Sequence, residues 1–353
     1  MPRGSTRRLI PAVQFFLEQS IAPHAARTSQ PADGVDFLMA VMDYDTTTYR
    51  TDGRTFLERY LPSSLESDQF AMTIHVDLSN VARPHRVIAN GQPIQTSRGW
   101  RVDYPPTSTC SSIYFHLLPV DRYFFSTSTA TVADRSVPVS VYSTRAAGRP
   151  FHDSIKDRPR EYLETLGSEI GFYPHQSFVA HVYPRSGGME YSGATSCDPS
   201  ALKHEVMHSW FGRGAHPADG NAGWIDEAIT YWWVDRRSPI TSPPQRLSDL
   251  QQRPARPLAT PGEYRRMTPS AAYRQGGRFI GHVASEFKMH DVDMKQVLVD
   301  FLGRYSHGIY TNDQFLDHLR ASSPAGFDIQ PAIDTLVLGK SLNATPTKPD
   351  QRE

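Results

Sequence analysis

One stretch decides how the rest of the sequence is interpreted: residues 204–233 read HEVMHSWFGRGAHPADGNAGWIDEAITYWW. The stretch begins with the pattern H-E-x-x-H, in which His204 and His208 stand four positions apart. On a helix, residues at this spacing lie on one face, so both imidazoles can reach the same ion. Two imidazoles and a carboxylate suit zinc, with a fourth position left for water. The pattern therefore predicts a zinc site that is built on a helix.

Glu227 supplies the carboxylate that this site needs. It stands in a second helical stretch, GWIDEAITYWW, and eighteen residues separate it from His208. The connecting segment contains four glycines and a proline, so the chain can turn back and bring Glu227 to the ion. Glu205 lies beside the first histidine, where it reaches the water rather than the metal and can act as a general base. We therefore predict one Zn²⁺ per chain, bound by His204, His208 and Glu227.

A further histidine, His216, lies in the connecting segment and is a rival ligand. Its offset from the H-E-x-x-H pattern lacks the glycine and the second histidine of the zinc class that uses three histidines. We interpret His216 as a solvated loop residue.

The composition limits the class of protein. The 353 residues include 37 basic and 37 acidic side chains, so no basic excess indicates a nucleic-acid partner. No apolar run reaches the length of about 18 residues that predicts a membrane-spanning helix. The two cysteines, Cys110 and Cys197, exclude a scaffold held by several disulfides but leave open one bridge or two thiols.

The N-terminus has some features of a secretion signal. Three arginines precede the stretch LIPAVQFFLEQSIA, but Pro11, Gln14 and Glu18 interrupt its apolar residues. We favour a short amphipathic helix or a tail. A cytoplasmic location is therefore favoured, and secretion remains open.

Residue periodicity divides the chain into a β-rich part and a helical part. Met72, Ile74, Val76 and Leu78 alternate with polar residues, and valines alternate in the same way over 137–141, as in half-buried strands. The predicted divisions are an N-terminal segment and linker (1–35), a shortened β-domain (36–148), a catalytic domain (149–342) and a polar tail (343–353).

Helix boundaries are predicted from capping residues. Gly171 ends a helix that starts near Pro159, and Asp198 with Pro199 would open the helix that carries the histidines. Asp293 opens another helix. Thr311 and Gln314 form a capping box before the last apolar helical face.

The segments HEVMHSWFG and WIDEAIT resemble the aminopeptidase N family of gluzincin zinc metallopeptidases, which pairs H-E-x-x-H with a glutamate at this spacing. The resemblance covers about residues 55–345. It implies an α+β fold, in which a β-sandwich-like domain precedes a thermolysin-like, mostly helical zinc peptidase domain. The family's C-terminal helical domain has no counterpart here, so the resemblance is to a shortened form.

Two more segments match the family's motifs in the same order. GGMEY stands where the family has its amino-binding loop, so Gly187, Gly188, Met189 and Glu190 are implied to bind substrate, with Glu190 on the free α-amino group. AAYRQGGRF offers Tyr273 as the phenol that steadies the oxyanion.

Tyr264, in PGEYRR, is a rival for the oxyanion role but lacks the glycine that follows Tyr273 in the family's motif.

Four positions depart from the family's pattern, and they affect substrate recognition more than metal chemistry. They are Arg213 and Asp226, which replace asparagines near the ligands, Tyr191, which replaces the asparagine of the amino-binding loop, and Gln275, which replaces a lysine after Tyr273.

The sequence therefore predicts a zinc aminopeptidase that cuts the bond next to a free N-terminus of a peptide or protein. A gluzincin endopeptidase, a glycyl aminopeptidase-like enzyme and a zinc-bearing peptide-binding protein remain as alternatives. The oligomeric state is not indicated.

Overall fold

Short strands with alternating burial form the N-terminal part of the computed structural model. The structure describes residues 37–40, 69–78, 83–109, 112–218, 222–234, 256–259, 268 and 270–340. The N-terminal helix or tail, the linker, Cys110, Tyr264 and the polar tail of the sequence-based predictions lie outside these ranges.

Two three-stranded antiparallel sheets come first along the chain. Their strand orders are β1-β6-β3 and β2-β5-β4. The strands are β1 (Phe37–Ala40), β2 (Gln69–Asp77), β3 (His85–Ala89), β4 (Gln92–Thr96), β5 (Gly99–Thr109) and β6 (Tyr114–Pro119). The alternation from Met72 to Val76 is confirmed as a strand, and these apolar side chains pack on one cluster with Val102 and Phe115.

A five-stranded mixed sheet follows, in the order β10-β11-β9-β8-β7. Its strands are β7 (Tyr123–Val132), β8 (Arg135–Thr144), β9 (Phe178–Val182), β10 (Gly188–Tyr191) and β11 (Ala194–Cys197). β9 runs parallel to both β8 and β11, and the other pairs are antiparallel. This sheet joins strands from both sides of residue 148, so the β7–β8 hairpin belongs to the same sheet as the strands that flank the candidate site.

Helices dominate the rest of the chain. They are α1 (Arg149–Ile155), α2 (Arg158–Ile170), α3 (Leu202–Met207), α4 (Ile225–Val234), α5 (Gly277–Met289), α6 (Met294–Tyr305), α7 (Asn312–Ser322) and α8 (Gln330–Ala332). Two π-helical turns, Ala272–Gly276 and Ile333–Val337, precede α5 and follow α8. A short parallel pair, β12 (His216–Pro217) and β13 (Ile309–Tyr310), completes the architecture. The predicted α+β class is confirmed.

Most predicted helix boundaries are confirmed. Gly171 ends α2 in the left-handed conformation, the Asp293 side chain accepts from the Lys295 amide, and Thr311 with Gln314 forms the capping box.

The predicted start of the helix at Asp198 was about one turn too early, because α3 begins at Leu202. The Asp198 carboxylate still makes the contacts of a cap: it accepts from the backbone amides of Ser200 and Ala201, and also from that of Gly187. The carboxylate therefore ties the GGMEY loop to the turn that precedes α3.

One apolar cluster joins the mixed sheet to the helices. Val139, Phe178, Val206, Trp210 and Trp224 are among its fully buried members. Within the described ranges, no helix combines the length and the apolar character that a bilayer-spanning segment requires.

Candidate active site

α3 and its C-terminal cap residue, His208, place both histidines of the H-E-x-x-H pattern on one face. Their ring centroids lie 4.9 Å apart, as helical spacing of four residues predicts. His208 is fully buried, and its Nδ1 lies 3.1 Å from the carbonyl oxygen of Phe211. Because that carbonyl only accepts, Nδ1 carries a proton, and Nε2 is the nitrogen that binds a metal once it has lost its own proton. This contact orients the imidazole for metal binding in the way that outer ligand contacts usually do.

α4 brings Glu227 to the two histidines. Its Oε2 lies 3.1 Å from His204 Nε2 and 3.4 Å from His208 Nε2, and the two Nε2 atoms are 3.2 Å apart. In a tetrahedral zinc site with bonds of about 2.0–2.1 Å, neighbouring ligand atoms lie about 3.3–3.4 Å apart. The donor set and its spacing therefore fit a zinc ion, which His204, His208 and Glu227 would hold.

The charges around the three ligands also fit a metal site. Burial alone would raise the pKa of Glu227, but the neighbouring His208 and His204 outweigh burial and hold that pKa well below its ordinary value. Burial alone would lower the pKa of His208, but the Glu227 and Glu190 carboxylates raise it to about 9. Glu227 is therefore ionised, as a metal ligand must be, and a bound cation would replace the proton of His208.

Glu205 lies next to the ligands on α3 and is buried. Within the described part of the chain, its Oε2 atom has no hydrogen-bond partner. Burial raises the pKa of the Glu205 carboxyl to about 8 in this metal-free chain. Of the neighbouring charges, His204 lowers this pKa and Glu190 raises it. A buried carboxylate oxygen beside a metal-ligand set, with no partner among the described residues, is suited to accept a proton from a water in the cleft.

Gly188 leaves the space that the Glu205 carboxylate occupies. A Cβ atom at residue 188 would lie 2.2 Å from Glu205 Oε1 and 2.6 Å from Glu205 Cδ. Real Cβ contacts do not come this close, so any side chain at 188 would displace the carboxylate. The sequence singled out Gly188 as a substrate-binding residue, and the structure gives it this additional steric reason.

We expect Gly188→Ala to lower turnover roughly tenfold to a hundredfold, because a displacement of about 1 Å in a catalytic group has an effect of that size. Steady-state kinetics with unchanged zinc content would check this result. Gly303→Ala is the matched control, since no atom of the described residues lies within 4 Å of a Cβ added to Gly303. Equal turnover in Gly188→Ala and Gly303→Ala would contradict the steric role of Gly188.

The alternation of β10 separates the residues of GGMEY into two sets. Gly188 and Glu190 face the site, whereas Met189 and Tyr191 pack in a buried cluster with Tyr114. The ring centroids of Tyr191 and Tyr114 lie 5.1 Å apart. The side chains of Met189 and Tyr191 therefore support the strand from behind, and contact of Met189 with substrate is limited to its backbone. Successive side chains of a strand point to opposite faces, which explains the division.

Glu190 lies near the ligands but already has a partner in the chain. Arg213 Nη2 donates to Glu190 Oε1 over 2.8 Å, and both side chains are buried. One oxygen of Glu190, one ring nitrogen of His208 and one oxygen of Asp226 lie within 4.8 Å of one another. The predicted amino-binding carboxylate is therefore part of a buried charge cluster rather than an isolated acceptor.

The π-helical turn Ala272–Gly276 brings Tyr273 to the ligand set. The Tyr273 hydroxyl donates to Glu227 Oε1 over 2.7 Å, the carboxylate oxygen other than the one that faces the histidines. Gly276 makes this approach possible, because a Cβ there would lie 2.7 Å from the Ala228 Cβ on α4. Burial, followed by the Glu227 charge, raises the pKa of Tyr273 above its ordinary value, so the phenol remains a donor.

The interpretation of His216 as a solvated loop residue was wrong. Its side chain is 4% exposed, and its backbone pairs with β13. Burial, with Arg213 nearby, lowers the pKa of His216 to about 3 and keeps the imidazole neutral. The loop folds back onto the β13 strand, so a segment that is rich in glycine and polar residues is covered rather than solvated.

Sequence reasoning did not find the pairing of Arg213 with Glu190. Arg213 was noted only as a departure from the family's pattern. The two residues stand 23 positions apart and share no local periodicity. Gln275 has a structural role, because its side-chain amide donates to the carbonyl oxygens of Arg256 and Leu336.

Comparison with known proteins identifies the fold. No protein-family model and no curated protein sequence matches this chain. The chain is similar to the M1 zinc metallopeptidase from Deinococcus radiodurans, with 17% identity and a TM-score of 0.59, over 79% of this chain and 66% of that one. A mutant of the Deinococcus radiodurans enzyme bound to a Tyr-Ser-Ala substrate matches with 16% identity and a TM-score of 0.57 over the same shares.

A second organism provides a further match. Legionella pneumophila aminopeptidase A in complex with aspartic acid matches with 14% identity and a TM-score of 0.58, over 77% of this chain and 34% of that one. At these identities the similarity shows the fold, which is that of the M1 zinc metallopeptidases. The chain spans 66% of the length of the Deinococcus radiodurans proteins and 34% of the Legionella pneumophila protein.

Proposed function

We propose that this chain is a zinc-dependent aminopeptidase that hydrolyses the first peptide bond of peptide substrates. The proposal rests on one observation above all: the ligand atoms of His204, His208 and Glu227 converge, and a buried carboxylate oxygen of Glu205 lies beside them without a partner in the described ranges. A ligand set of this kind with an open position is typical of catalytic rather than structural zinc. The fold of zinc metallopeptidases supports the same proposal.

The chemistry divides between the metal and the chain. A zinc ion held at this site would supply Lewis-acid polarisation of the scissile carbonyl and would activate water. Glu205 accepts the proton of the attacking water and then delivers it to the leaving amine. Burial raises the pKa of Glu205 in the metal-free chain, and the charge of a bound zinc ion would lower it again, so the carboxylate would be ionised when it accepts the proton.

Tyr273 and Glu190 are assigned to the two sides of the scissile bond. The Tyr273 phenol would leave Glu227 and donate to the oxyanion that develops on the substrate carbonyl. Glu190 would accept from the substrate's α-amino group. The amino nitrogen is separated from the scissile carbonyl by a single Cα, so its acceptor must lie within a few ångströms of the metal ligands. The position of Glu190 supports this assignment, since one of its oxygens lies within 4.8 Å of a ring nitrogen of the ligand residue His208.

The substrate class is proposed from the similar proteins. One of them binds a Tyr-Ser-Ala substrate, and another, an aminopeptidase, is in complex with aspartic acid. Short peptides whose first residue enters the site beside Glu190 are therefore the proposed substrates of this chain.

We expect purified protein to carry one zinc ion per chain and His208→Gln to lose it, because the substitution removes one of three ligands. Metal analysis after equilibration with trace zinc would measure the stoichiometry. His318→Gln is the matched control, since His318 is a buried histidine whose Nε2 contacts the carbonyl oxygen of Val297 instead. A chain that neither carries zinc nor takes it up would refute the site, as would full zinc content in His208→Gln.

Hydrolysis of a panel of aminoacyl-arylamides, with and without a zinc chelator, would test the function itself. We expect chelation to abolish hydrolysis and added zinc to restore it. Zinc binding with no hydrolysis of any arylamide or peptide would favour the alternative of a zinc-bearing peptide-binding protein. The Glu205 oxygen, which has no partner in the part of the chain that the structure describes, argues against that alternative, because a binding protein has no use for a buried base.

A further inference from the structure

The carboxylate assigned to the substrate's amino group is already neutralised by the protein. Arg213 donates to Glu190 over 2.8 Å, and the exposed fractions of the two side chains are only 7% and 11%. A charge-assisted pair of this kind is among the stronger polar contacts in a protein interior. An incoming ammonium would therefore meet a carboxylate that already has a cation.

The turn that ends α3 fixes the position of Arg213. Its backbone amide donates to the carbonyl oxygen of His208 over 3.0 Å, and the adjacent Gly212 amide donates to the Ala215 carbonyl over 3.0 Å. The residue that carries the guanidinium is thus held by backbone contacts to a metal ligand, independently of Glu190. Arg213 is consequently part of the built site rather than a surface residue folded over it.

Glu190 shares its surroundings with a second buried carboxylate. Asp226 lies within the same 4.8 Å group as Glu190 and His208, and Arg213 brings a positive charge to this group. Two buried carboxylates this close need a cation, because an unpaired buried charge is strongly unfavourable. When Arg213 supplies that cation, a substrate ammonium gains less binding affinity from Glu190 than it would from an unpaired carboxylate. A substrate without an ammonium leaves Glu190 paired rather than stranded.

We propose that Arg213 determines how strongly the site discriminates between free and blocked N-termini. This inference rests on the proposed function and extends its substrate class to peptides with N-acylated first residues. Arg213 acts through Glu190 and is a positioning residue rather than a catalytic one. An unpaired carboxylate at Glu190 would favour a free over a blocked N-terminus at least tenfold, because a blocked substrate would leave it buried without a partner. The internal ion pair with Arg213 reduces this preference.

Equilibrium binding of matched peptides would test the proposal without turnover. The zinc-loaded Glu205→Gln variant, which serves as the parent, would be titrated with tripeptides and with their N-acetylated counterparts. The quantity compared between variants is the dissociation constant of the acetylated peptide divided by that of the free peptide. With Arg213 present we expect a ratio of tenfold or less, and a larger ratio would overturn the proposal even if no Arg213 variant folds. Adding Arg213→Gln should raise the ratio at least tenfold above that of the parent, and an unchanged or lower ratio in a folded, zinc-loaded variant would overturn the proposal.

Three further variants make the test specific. Arg213→Lys keeps the positive charge and should retain the parent's ratio. Arg135→Gln is the matched control, because Arg135 donates to the carbonyl oxygens of Tyr173 and His175 rather than to a carboxylate. In a Glu190→Gln background, Arg213→Gln should no longer change the ratio, since the two residues act as a pair. A persistent effect there would show that Arg213 does not act through Glu190. Failure of the zinc-loaded protein to bind or cut any peptide would instead refute the proposed function.

Discussion

Glu205→Gln is expected to retain zinc and to lose about 10²–10⁴-fold in turnover, the range of a general acid–base residue. The substitution keeps the size of the side chain beside Gly188 but removes its ability to accept a proton. It leaves His204, His208 and Glu227 in place, so metal content should not change. Steady-state hydrolysis of an arylamide, together with metal analysis of the same sample, measures both quantities.

Glu205→Gln should stabilise the metal-free fold, although it lowers turnover. Burial raises the pKa of Glu205 to about 8 in the folded, metal-free chain, so the folded chain keeps a proton that the unfolded chain releases, and stability falls as the pH rises from the ordinary pKa of a glutamate to about 8. Glutamine removes this titratable group. Metal-free Glu205→Gln should therefore unfold at a higher temperature than the parent near pH 8, and the difference should shrink as the pH falls to about 4.

Glu169→Gln is the control for Glu205→Gln. Glu169→Gln changes a half-buried glutamate on α2 that pairs with Lys295 and accepts from Trp233, and it should leave turnover near that of the parent. If Glu205→Gln retains most of the parent's rate with zinc bound, another group takes the proton and Glu205 is not the base.

The sequence predicted the local parts of the site because short-range geometry determines them. Helical spacing places His204 and His208 on one face, and a glycine-rich connection lets Glu227 return to them. The steric demand at Gly188 depends on how β10 packs against α3, which no single segment encodes. The same holds for Gly276 and its contact with Ala228 on α4.

Long-range pairing explains what the sequence did not predict. The ion pair between Arg213 and Glu190 joins a turn after α3 to a strand of the mixed sheet, and the burial of His216 depends on β13, more than 90 positions later. Likewise, the alternating valines of β8 predict a strand but not its parallel partner β9, which lies beyond two helices. Strand partners and ion pairs of this kind are properties of the tertiary fold, and local patterns carry no signal for them.

Tyr273→Phe is expected to lower turnover by about 10²–10³-fold, the usual loss when one oxyanion donor is removed. The Tyr273 phenol also donates to Glu227 Oε1 over 2.7 Å. The alternative role for Tyr273 is therefore to hold this metal ligand in place. The two roles differ in their effect on zinc. Loss of a contact that orients a ligand typically costs 10–100-fold in metal affinity, whereas loss of an oxyanion donor leaves the affinity unchanged.

Zinc affinity and turnover of Tyr273→Phe should therefore be measured on the same preparation. We expect wild-type zinc affinity with the full loss of turnover, and no recovery when zinc is added in excess. Recovery of turnover on adding zinc would assign Tyr273 to the support of Glu227 instead. Tyr264→Phe serves as the comparison, since Tyr264 is the rival phenol in the sequence: a comparable loss there, with Tyr273→Phe near normal, would move the oxyanion role to Tyr264. The contact with Glu227 in the metal-free chain favours Tyr273, because it already places the hydroxyl at the edge of the ligand set where the substrate carbonyl must bind.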